Sequence, residues 1–386
     1  MKQKTALFLL LLTCSIQGFA QDRKPWILRA LNAVKTYIDS SAVKGIDQRY
    51  IEVPKKPWAV VLKYNTNDMD LCATSTLSKD HLAQKGIDGE FTWESTFKPR
   101  SEISLGAWVG YRGYGFGYSY SLQRSTGRNI TFGATGANYG LNLRIRRFKT
   151  HEIGAHYWGY DEDGHFDENE ANAETWDDIM VRSAIFDGYY MFNGKRFSYA
   201  AAYDQSVNQI RSAGSLMLGV MWFQTSIDYA APTNGLLIQM LGDVGRVKIH
   251  EGSIGVGYAY NWVPLKNLLF NVTAMPMLSL YNRTKVYFYD CNYDIFLEEG
   301  EVSPTGKKVV PDDDSWQEDI TLTERGSHTS YGKIALNFDA RASITYQFDR
   351  FFLNVSGQLN HFRHNVDNNQ LRLTDWYVNA SLGVRL

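Results

Sequence analysis

A long alternation of apolar and polar residues is the feature that most constrains the fold of this chain. From Gly332 to Phe348 every second residue is apolar, and the residues between them are mostly polar. Successive side chains of a strand point to opposite faces, so this period of two predicts a strand with one apolar and one polar face. Its length of about fifteen residues exceeds that of ordinary soluble strands and matches a tilted strand that crosses a membrane.

The same pattern recurs along most of the chain. Twelve candidate strands follow from it: 101–111, 113–122, 137–148, 150–159, 178–192, 196–206, 213–227, 247–263, 267–283, 331–348, 350–364 and 371–386. Segments 57–66 and 90–98 are further candidates, so the predicted count is about twelve, within a range of ten to fourteen. One inconsistency remains, because 213–227 and 247–263 would run in the same direction. An element between residues 200 and 250 is therefore missed or merged.

Loop lengths and aromatic content favour a membrane barrel. Connections at 192–197, 262–267 and 347–350 are predicted to be tight, whereas 160–178 and 289–330 are long and acidic. Short turns on one rim and long loops on the other are typical of outer-membrane barrels. The 24 Tyr, 20 Phe and 10 Trp suit a lipid-facing surface with interfacial girdles. We therefore predict an all-β fold, a closed antiparallel transmembrane β-barrel, in preference to a soluble periplasmic β-sandwich binding protein.

The first twenty residues predict export. Lys2 and Lys4 precede a short apolar stretch, and Gly18-Phe19-Ala20 forms a small-x-small cleavage site. A signal peptide over 1–20 and a barrel together predict the outer membrane of a Gram-negative bacterium. A lipoprotein acylated at Cys14 is the rival interpretation.

Residues 21–56 differ from the rest of the chain. Apolar residues fall at helical spacing between Pro25 and Asp39, which predicts a short helix. We expect a periplasmic segment beside the barrel mouth rather than a plug, because so few residues would fill little of the lumen. The barrel domain is then predicted over 57–386.

Charge and cysteine content exclude some classes of protein. The 40 basic and 41 acidic residues give a net charge of −1, which argues against a nucleic-acid partner. The mean hydropathy of −0.33 argues against a bundle of transmembrane helices. Beyond the predicted signal peptide, Cys72 and Cys291 leave one disulfide or two thiols equally open.

Several segments resemble a known family. They are Asn193–Tyr199, Ala202–Ser206, Arg211–Ser215 and Tyr111–Tyr118. With them, the mature chain resembles the exported family catalogued as domain of unknown function 4421. The resemblance implies an outer-membrane barrel without an assigned activity, so it assigns no catalytic or binding residue.

An acidic stretch offers a candidate metal site. Aligned with a calcium-binding loop, residues 159–170 place Asp161, Asp163, Asp167 and Glu170 at ligand positions three, five, nine and twelve. The first position holds a glycine without a side-chain oxygen, and strands flank the loop where helices are expected. Ca²⁺ at this loop is therefore set against a solvated acidic loop without a dedicated metal. No other cofactor is expected.

Two further groups of residues carry possible chemistry. The run Arg211–Ser215 could hold a nucleophilic serine, but no histidine lies near it in sequence, and a turn or strand start is the competing interpretation. Charged residues on predicted lumen faces form either a selective constriction or structural ion pairs. They are Arg144, Arg146, Lys333, Asp339 and Arg341.

These observations predict a non-enzymatic outer-membrane barrel of unknown specific role, either a pore for small solutes or a scaffold with acidic extracellular loops. A hydrolase acting on lipid or peptide at the outer leaflet is the alternative. Expected partners are outer-membrane lipids and lipopolysaccharide, which divalent ions would bridge to the acidic loops. The alternating strand 371–386 is expected to engage the barrel-assembly machinery.

Overall fold

The computed structural model describes residues 26–77, 91–97, 102–122, 127–160, 165–292, 321–366 and 369–386. The chain divides into two units, Met1–Lys44 and Gly45–Leu386. Helix α1 (Trp26–Val43) is the described element of the first unit, which confirms the predicted short N-terminal helix. No helix among the described residues has both the length and the apolar character needed to cross a membrane.

The second unit is built mainly of strands. Their bounds are β1 (Ile51–Glu52), β2 (Trp58–Leu77), β3 (Phe91–Phe97), β4 (Glu102–Tyr111), β5 (Tyr114–Ser121), β6 (Arg128–Thr135), β7 (Tyr139–Tyr160), β8 (Phe166–Met191), β9 (Asn208–Gln209), β10 (Ala213–Asp228), β11 (Val244–Leu265), β12 (Leu268–Asn292), β13 (Thr321–Tyr331), β14 (Ala335–Phe348), β15 (Phe351–Val366) and β16 (Asn369–Arg385). The helices are α2 (Tyr199–Tyr203) and α3 (Gly235–Met240), the latter preceded by a 3₁₀ turn at Pro232–Asn234.

Twelve of the described strands form a closed antiparallel ring. Each strand pairs with the next in the order β2, β4, β5, β6, β7, β8, β10, β11, β12, β14, β15 and β16. The ring closes where β16 pairs with β2, from Asn369 opposite Ser75 to Arg385 opposite Ala59. The predicted fold class and the predicted count of about twelve strands are confirmed.

Side-chain burial along β14 explains why the sequence alternates. Asn337, Asp339 and Arg341 point inward and are buried, whereas Leu336 and Ile344 point outward and are exposed. The outward face therefore presents apolar groups to lipid, and the inward face presents polar groups to the barrel interior. This is the arrangement predicted from the period of two.

Strand lengths differ strongly between the two ends of the barrel. Strands β4, β5 and β6 are short, with 10, 8 and 8 residues. Beyond them β3 bridges the gap by pairing with the far parts of β2 and β7. Strand β13 similarly pairs with the far part of β12. The wall thus continues past the short strands on the side that carries the longer connections.

Three strand predictions within the ring are wrong. Predicted strands 137–148 and 150–159 are one strand, β7, and strand β6 was not predicted. Predicted strand 196–206 contains α2 instead, and this false strand explains the inconsistency in direction. Three consecutive alanines at 200–202 are strong helix formers, and they break the alternation. Strands β10 and β11 are antiparallel, with Ala213 opposite Asn261. The connection between them contains α3.

The connections follow the predicted asymmetry only in part. Tight turns with left-handed residues occur at Arg112-Gly113, Asn267 and Asp349, at the end called here the short-turn rim. The predicted tight turn at 192–197 instead begins a long connection between β8 and β10. Much of the acidic segment 160–178 lies in β8, paired with β7. Long strand extensions therefore replace part of the predicted loop at the opposite end, the long-loop rim.

Glycines on β4 and β5 create space for an aromatic ring inside the barrel. The Trp108 indole is buried, and a Cβ added at Gly110 or Gly115 would lie 1.9 or 2.0 Å from its atoms. The absence of side chains at both positions lets the ring lie flat against the inner wall. This packing gives a physical reason for the alternating glycines in the Tyr111–Tyr118 segment.

We expect Gly115→Ala to lower the free energy of unfolding by about 1–3 kcal/mol, because the new methyl group must displace the Trp108 ring. Urea titration of the refolded protein, followed by tryptophan fluorescence, measures this loss. Gly133→Ala is the matched control, since its Cβ would have its nearest contact at 3.9 Å. Equal stability of the two variants would contradict this account of the glycines.

Candidate functional site

The long connection between β8 and β10 folds into the barrel. We call residues 192–212 the inner loop. Helix α2 lies within it, capped at its N-terminus by the Ser198 hydroxyl, which accepts a hydrogen bond of 3.1 Å from the Ala201 amide. Tyr199, Ala200, Ala201 and Ala202 are buried. The inner loop therefore occupies space inside the ring near the short-turn rim.

Side chains of the barrel wall hold the backbone of the inner loop. The Asn354 amide donates to the Ala202 carbonyl at 3.1 Å, and the Arg385 guanidinium donates to the Gln205 carbonyl at 2.8 Å. Asn261 donates to the Ser198 carbonyl at 2.8 Å. These contacts come from three separate strands, so the loop is fixed from several sides of the ring.

The chain before β2 packs against the same loop. Strand β1 pairs with β9, and the Asp47 amide donates to the Lys195 carbonyl at 2.8 Å. Hydrogen bonds from Arg49, with Nη2 at 2.8 Å, hold the pKa of the Asp47 carboxyl below its usual range. A cavity of about 600 Å³ opens beside this segment, lined in part by Ile51 and Lys266.

A charged cluster lies at the centre of the barrel around Arg341. Its guanidinium contacts Asp187 at 3.0 Å and Asp339 at 3.3 Å, and all three side chains are buried. The same guanidinium donates to the Tyr199 hydroxyl at 2.6 Å, and it also contacts the Tyr189 hydroxyl. Arg341 thus links β8, β14 and the inner loop.

A second buried cluster lies around Asp375. Each of its carboxylate oxygens contacts one arginine, Arg144 or Arg146. Arg144 also lies over the Tyr377 ring at 4.2 Å, and Arg146 contacts the Asn67 amide oxygen at 3.4 Å. The two clusters together contain three arginines and three aspartates, so their formal charges cancel.

A small polar cavity lies between the clusters and the inner loop. Its volume is about 100 Å³, and its lining includes Lys63, Arg144, Asp187 and Asp204. Burial raises the pKa of the Asp204 carboxyl, which accepts a hydrogen bond from Thr135. The volume suits a few water molecules rather than a solute path through the barrel.

The half of the interior towards the long-loop rim contains an apolar cluster beside a few buried polar side chains, among them Glu251, which accepts hydrogen bonds from Asn337 and Ser253. Inward side chains of β8, β10, β11 and β12 form one buried cluster that includes Ile185, Met221, Phe223 and Met277. We call residues 229–243 the outer cap. Ile238 of α3 within the cap is fully buried in this cluster. The chain therefore fills both halves of its own lumen.

The predicted lumen charges are brought together except for one. Arg144, Arg146, Asp339 and Arg341 are buried in the two clusters, whereas Lys333 is exposed in the connection before β14. The ion-pair interpretation therefore describes these four residues. Their partners Asp187 and Asp375 were not among the lumen charges predicted from the sequence. Asp375 has the same strand parity as the inward Tyr377 and Asn379, so extending the alternation by one step would have found it.

The serine run lies at the short-turn rim and has structural hydrogen bonds. The Ser215 hydroxyl accepts from the Asn193 amide at 2.9 Å, and the Ser212 hydroxyl accepts from the Val263 amide at 2.9 Å. His250 pairs with Gln224, nine residues along β10 from Ser215, or about 30 Å away. The run thus fits a strand start.

Two histidines contact carboxylates towards the long-loop rim. His151 lies 2.8 Å from Asp178, and His156 lies 2.7 Å from Glu168. Both pairs are partly exposed, and neither includes a serine. They have the geometry of ordinary surface ion pairs between neighbouring strands.

The predicted calcium site falls largely outside the described residues, since Asp161 and Asp163 are not among them. Asp167 and Glu170 are exposed on β8, three positions apart, so their side chains lie on opposite faces of the strand. Among the described residues no group of three or more His, Cys, Asp or Glu is arranged to hold a metal ion. Calcium binding by the complete loop stays a prediction.

The sequence matches the family described as domain of unknown function DUF4421 over residues 46–385. The chain belongs to this family. The match spans the whole barrel, including the inner loop and its partner strands. It confirms the family resemblance carried by the inner-loop and β4–β5 segments. No curated protein matches the sequence.

Several solved structures of outer-membrane proteins are similar to this chain. The outer membrane protease OmpT of Escherichia coli is 7% identical, over 86% of this chain and 98% of OmpT, with a TM-score of 0.34. The β domain of the Bordetella autotransporter BrkA is 10% identical, over 86% and 100% of the two chains, with a TM-score of 0.28. The toluene transporter TodX of Pseudomonas putida is 8% identical, over 86% and 91%, with a TM-score of 0.26.

Proposed function

We propose that this protein is a closed, non-conducting outer-membrane scaffold rather than a pore. The contact that carries the proposal joins Arg341 on the barrel wall to Tyr199 of the inner loop, at 2.6 Å. A porin keeps charged side chains at a water-filled constriction, where they meet passing solutes. Here the central charges form ion pairs with other side chains of the same chain.

Two properties of the interior support a closed state. The three arginines and three aspartates of the buried clusters carry no net formal charge and pair with one another, so these clusters offer no unpaired charge to a passing ion. Towards the long-loop rim, the apolar cluster around Phe223 fills space that water or an ion would need, and the buried Glu251 carboxyl opposite it accepts hydrogen bonds from Asn337 and Ser253. Both rims would have to rearrange before a solute crossed.

The proposed location is the outer membrane of a Gram-negative bacterium. A signal peptide over 1–20 would export the chain, and the alternating β16 would present itself to the barrel-assembly machinery. The surface at the long-loop rim would then face outward and carry the scaffold's contacts. Calcium at the 159–170 loop would stiffen that surface.

Recordings across a planar bilayer test the closed state. The refolded full chain is expected to give no single-channel steps, although heat-dependent gel migration shows that the barrel is folded and inserted. Liposomes containing the protein are expected to swell in small sugars no faster than empty liposomes. Steady openings at low voltage, or sugar-dependent swelling, would contradict the proposal.

A further inference from the structure

The outward faces of β11 and β12 carry a compact group of basic side chains. Lys248 on β11 lies directly opposite Lys285 on β12, and His250 lies directly opposite Arg283. We call these four residues the basic patch. On β11, Lys248 and His250 alternate with the inward Ile249, so they point away from the barrel interior. Their partners Lys285 and Arg283 on β12 lie on the same outward face.

The patch lies just beyond the lipid-facing apolar surface. Ile254 and Leu278 are exposed on the same outward faces, nearer the short-turn rim. Trp222 and Tyr281 come next, with stacked rings 5.5 Å apart. Interfacial aromatic residues mark the headgroup level of a membrane. Arg283 follows Tyr281 by two positions, or about 7 Å along the strand, which places the patch at the level of lipid headgroups.

The positive charges of the patch are not balanced by nearby carboxylates. Arg246 pairs with Glu324 at 2.8 Å, but no carboxylate of the described residues lies within 4.0 Å of Lys248, Arg283 or Lys285. Instead the Tyr287 ring lies beside Arg246, Lys248 and Lys285, at 4.1, 5.0 and 4.8 Å. Like charges directly opposite each other on paired strands are destabilising.

Two nitrogen atoms of the patch also lack hydrogen-bond partners in the described part of the chain. Buried Arg283 Nε and His250 Nδ1 have no hydrogen-bond partner among the described residues. A buried donor without a partner costs stability, and a group that accepts from it recovers that loss. An anion seated between the two strands would pair with the two lysines, and it would accept a hydrogen bond from the Arg283 guanidinium once that side chain turns towards it.

We propose that the basic patch binds the phosphate groups of a phosphorylated glycolipid in the outer leaflet. A phosphate monoester carries a charge of about −1.5 to −2 at neutral pH, which complements two opposed lysines. Arginine adds directional hydrogen bonds to phosphate oxygens. The patch faces lipid at headgroup height, so the phosphate arrives attached to acyl chains that pack on the apolar surface below. The site does not depend on whether the lumen is closed.

Native mass spectrometry of the full chain in detergent, titrated with bisphosphorylated lipid A, tests the proposal. The double variant Lys248→Gln/Lys285→Gln is expected to bind about tenfold more weakly or worse, because two charge-assisted contacts to phosphate are lost. Lys266→Gln/Arg350→Gln is the matched control. It removes the same charge from exposed turns at the short-turn rim, and we expect unchanged binding.

Three results would overturn the inference. The first is equal binding by the double variant and the wild type, with both folded by heat-dependent gel migration. The second is equal binding of dephosphorylated lipid A, which would assign the affinity to acyl chains. The third is displacement of lipid A by millimolar inorganic phosphate, which would assign the site to free phosphate. Arg283→Gln alone is expected to weaken binding of the phosphorylated lipid, so the inference does not rest on a single variant.

Discussion

Arg341→Ala is expected to lower the free energy of unfolding by about 3–5 kcal/mol, because it leaves two buried carboxylates without their cation. Asp187 and Asp339 are both buried, and each contacts the guanidinium within 3.3 Å. The substitution also removes the hydrogen bond to the Tyr199 hydroxyl. We therefore expect the inner loop to loosen together with the loss in stability.

Urea unfolding of the refolded protein in micelles measures the free energy of unfolding. The rate of proteolytic cleavage within the inner loop measures how far the loop has loosened. Arg350→Ala, at an exposed turn after β14, is the control and should change stability by less than about 0.5 kcal/mol. The triple variant Arg341→Met/Asp187→Asn/Asp339→Asn is expected to recover much of the loss, because no buried charge remains unpaired. A stable Arg341→Ala barrel would show that the cluster is hydrated rather than sealed.

Phe223→Ala is the second substitution with a large expected effect, about 3–5 kcal/mol of unfolding free energy. The ring is 1% exposed, and it stacks on Phe362 from the far side of the interior at 4.7 Å. Its removal leaves a cavity between strands that the closed ring cannot collapse to fill. Hydrogen exchange of β10 and β15 should rise in the same variant.

Leu218→Ala on the same strand separates interior packing from lipid contact. Leu218 is 38% exposed and points outward. Lipid tails fill the space of the lost methyl groups, so the cavity cost of an interior site is absent and only the transfer of the side chain from water to lipid is lost. We expect a change of about 1–2 kcal/mol, smaller than that of Phe223→Ala. Similar losses for Leu218→Ala and Phe223→Ala would contradict a packed interior.

The alternating strands could be predicted because their cause is local. A strand such as β14 meets lipid on one face and polar partners on the other. Apolar and polar residues therefore alternate in its sequence with a period of two. Strand β10 was also predicted, at 213–227, although its outward Leu218 and inward Met217 and Phe223 are all apolar. Because both faces of β10 are apolar, its sequence does not show which face meets lipid and which packs against the apolar cluster inside the barrel.

The prediction of a strand at 196–206 was wrong because the local sequence is also ambiguous there. Residues 196–206 are apolar enough for a strand, and α2 has only five residues, too few to show a helical period. Its buried position depends on Asn354, Arg385 and Asn261, which lie far from it in sequence. The cavity that receives the loop exists only once the ring has closed.

The sequence by itself predicted a closed antiparallel barrel of about twelve strands, because alternation and strand length are properties of consecutive residues. The resemblance of a few of its segments also gave the family, which the match over residues 46–385 confirms. The tertiary structure decided that the lumen is filled and which charges meet within it. Asp375 contacts Arg146 across 229 residues, and Tyr189 contacts Arg341 across 152. Pairings over such separations depend on strand register around the whole ring, which no local pattern specifies.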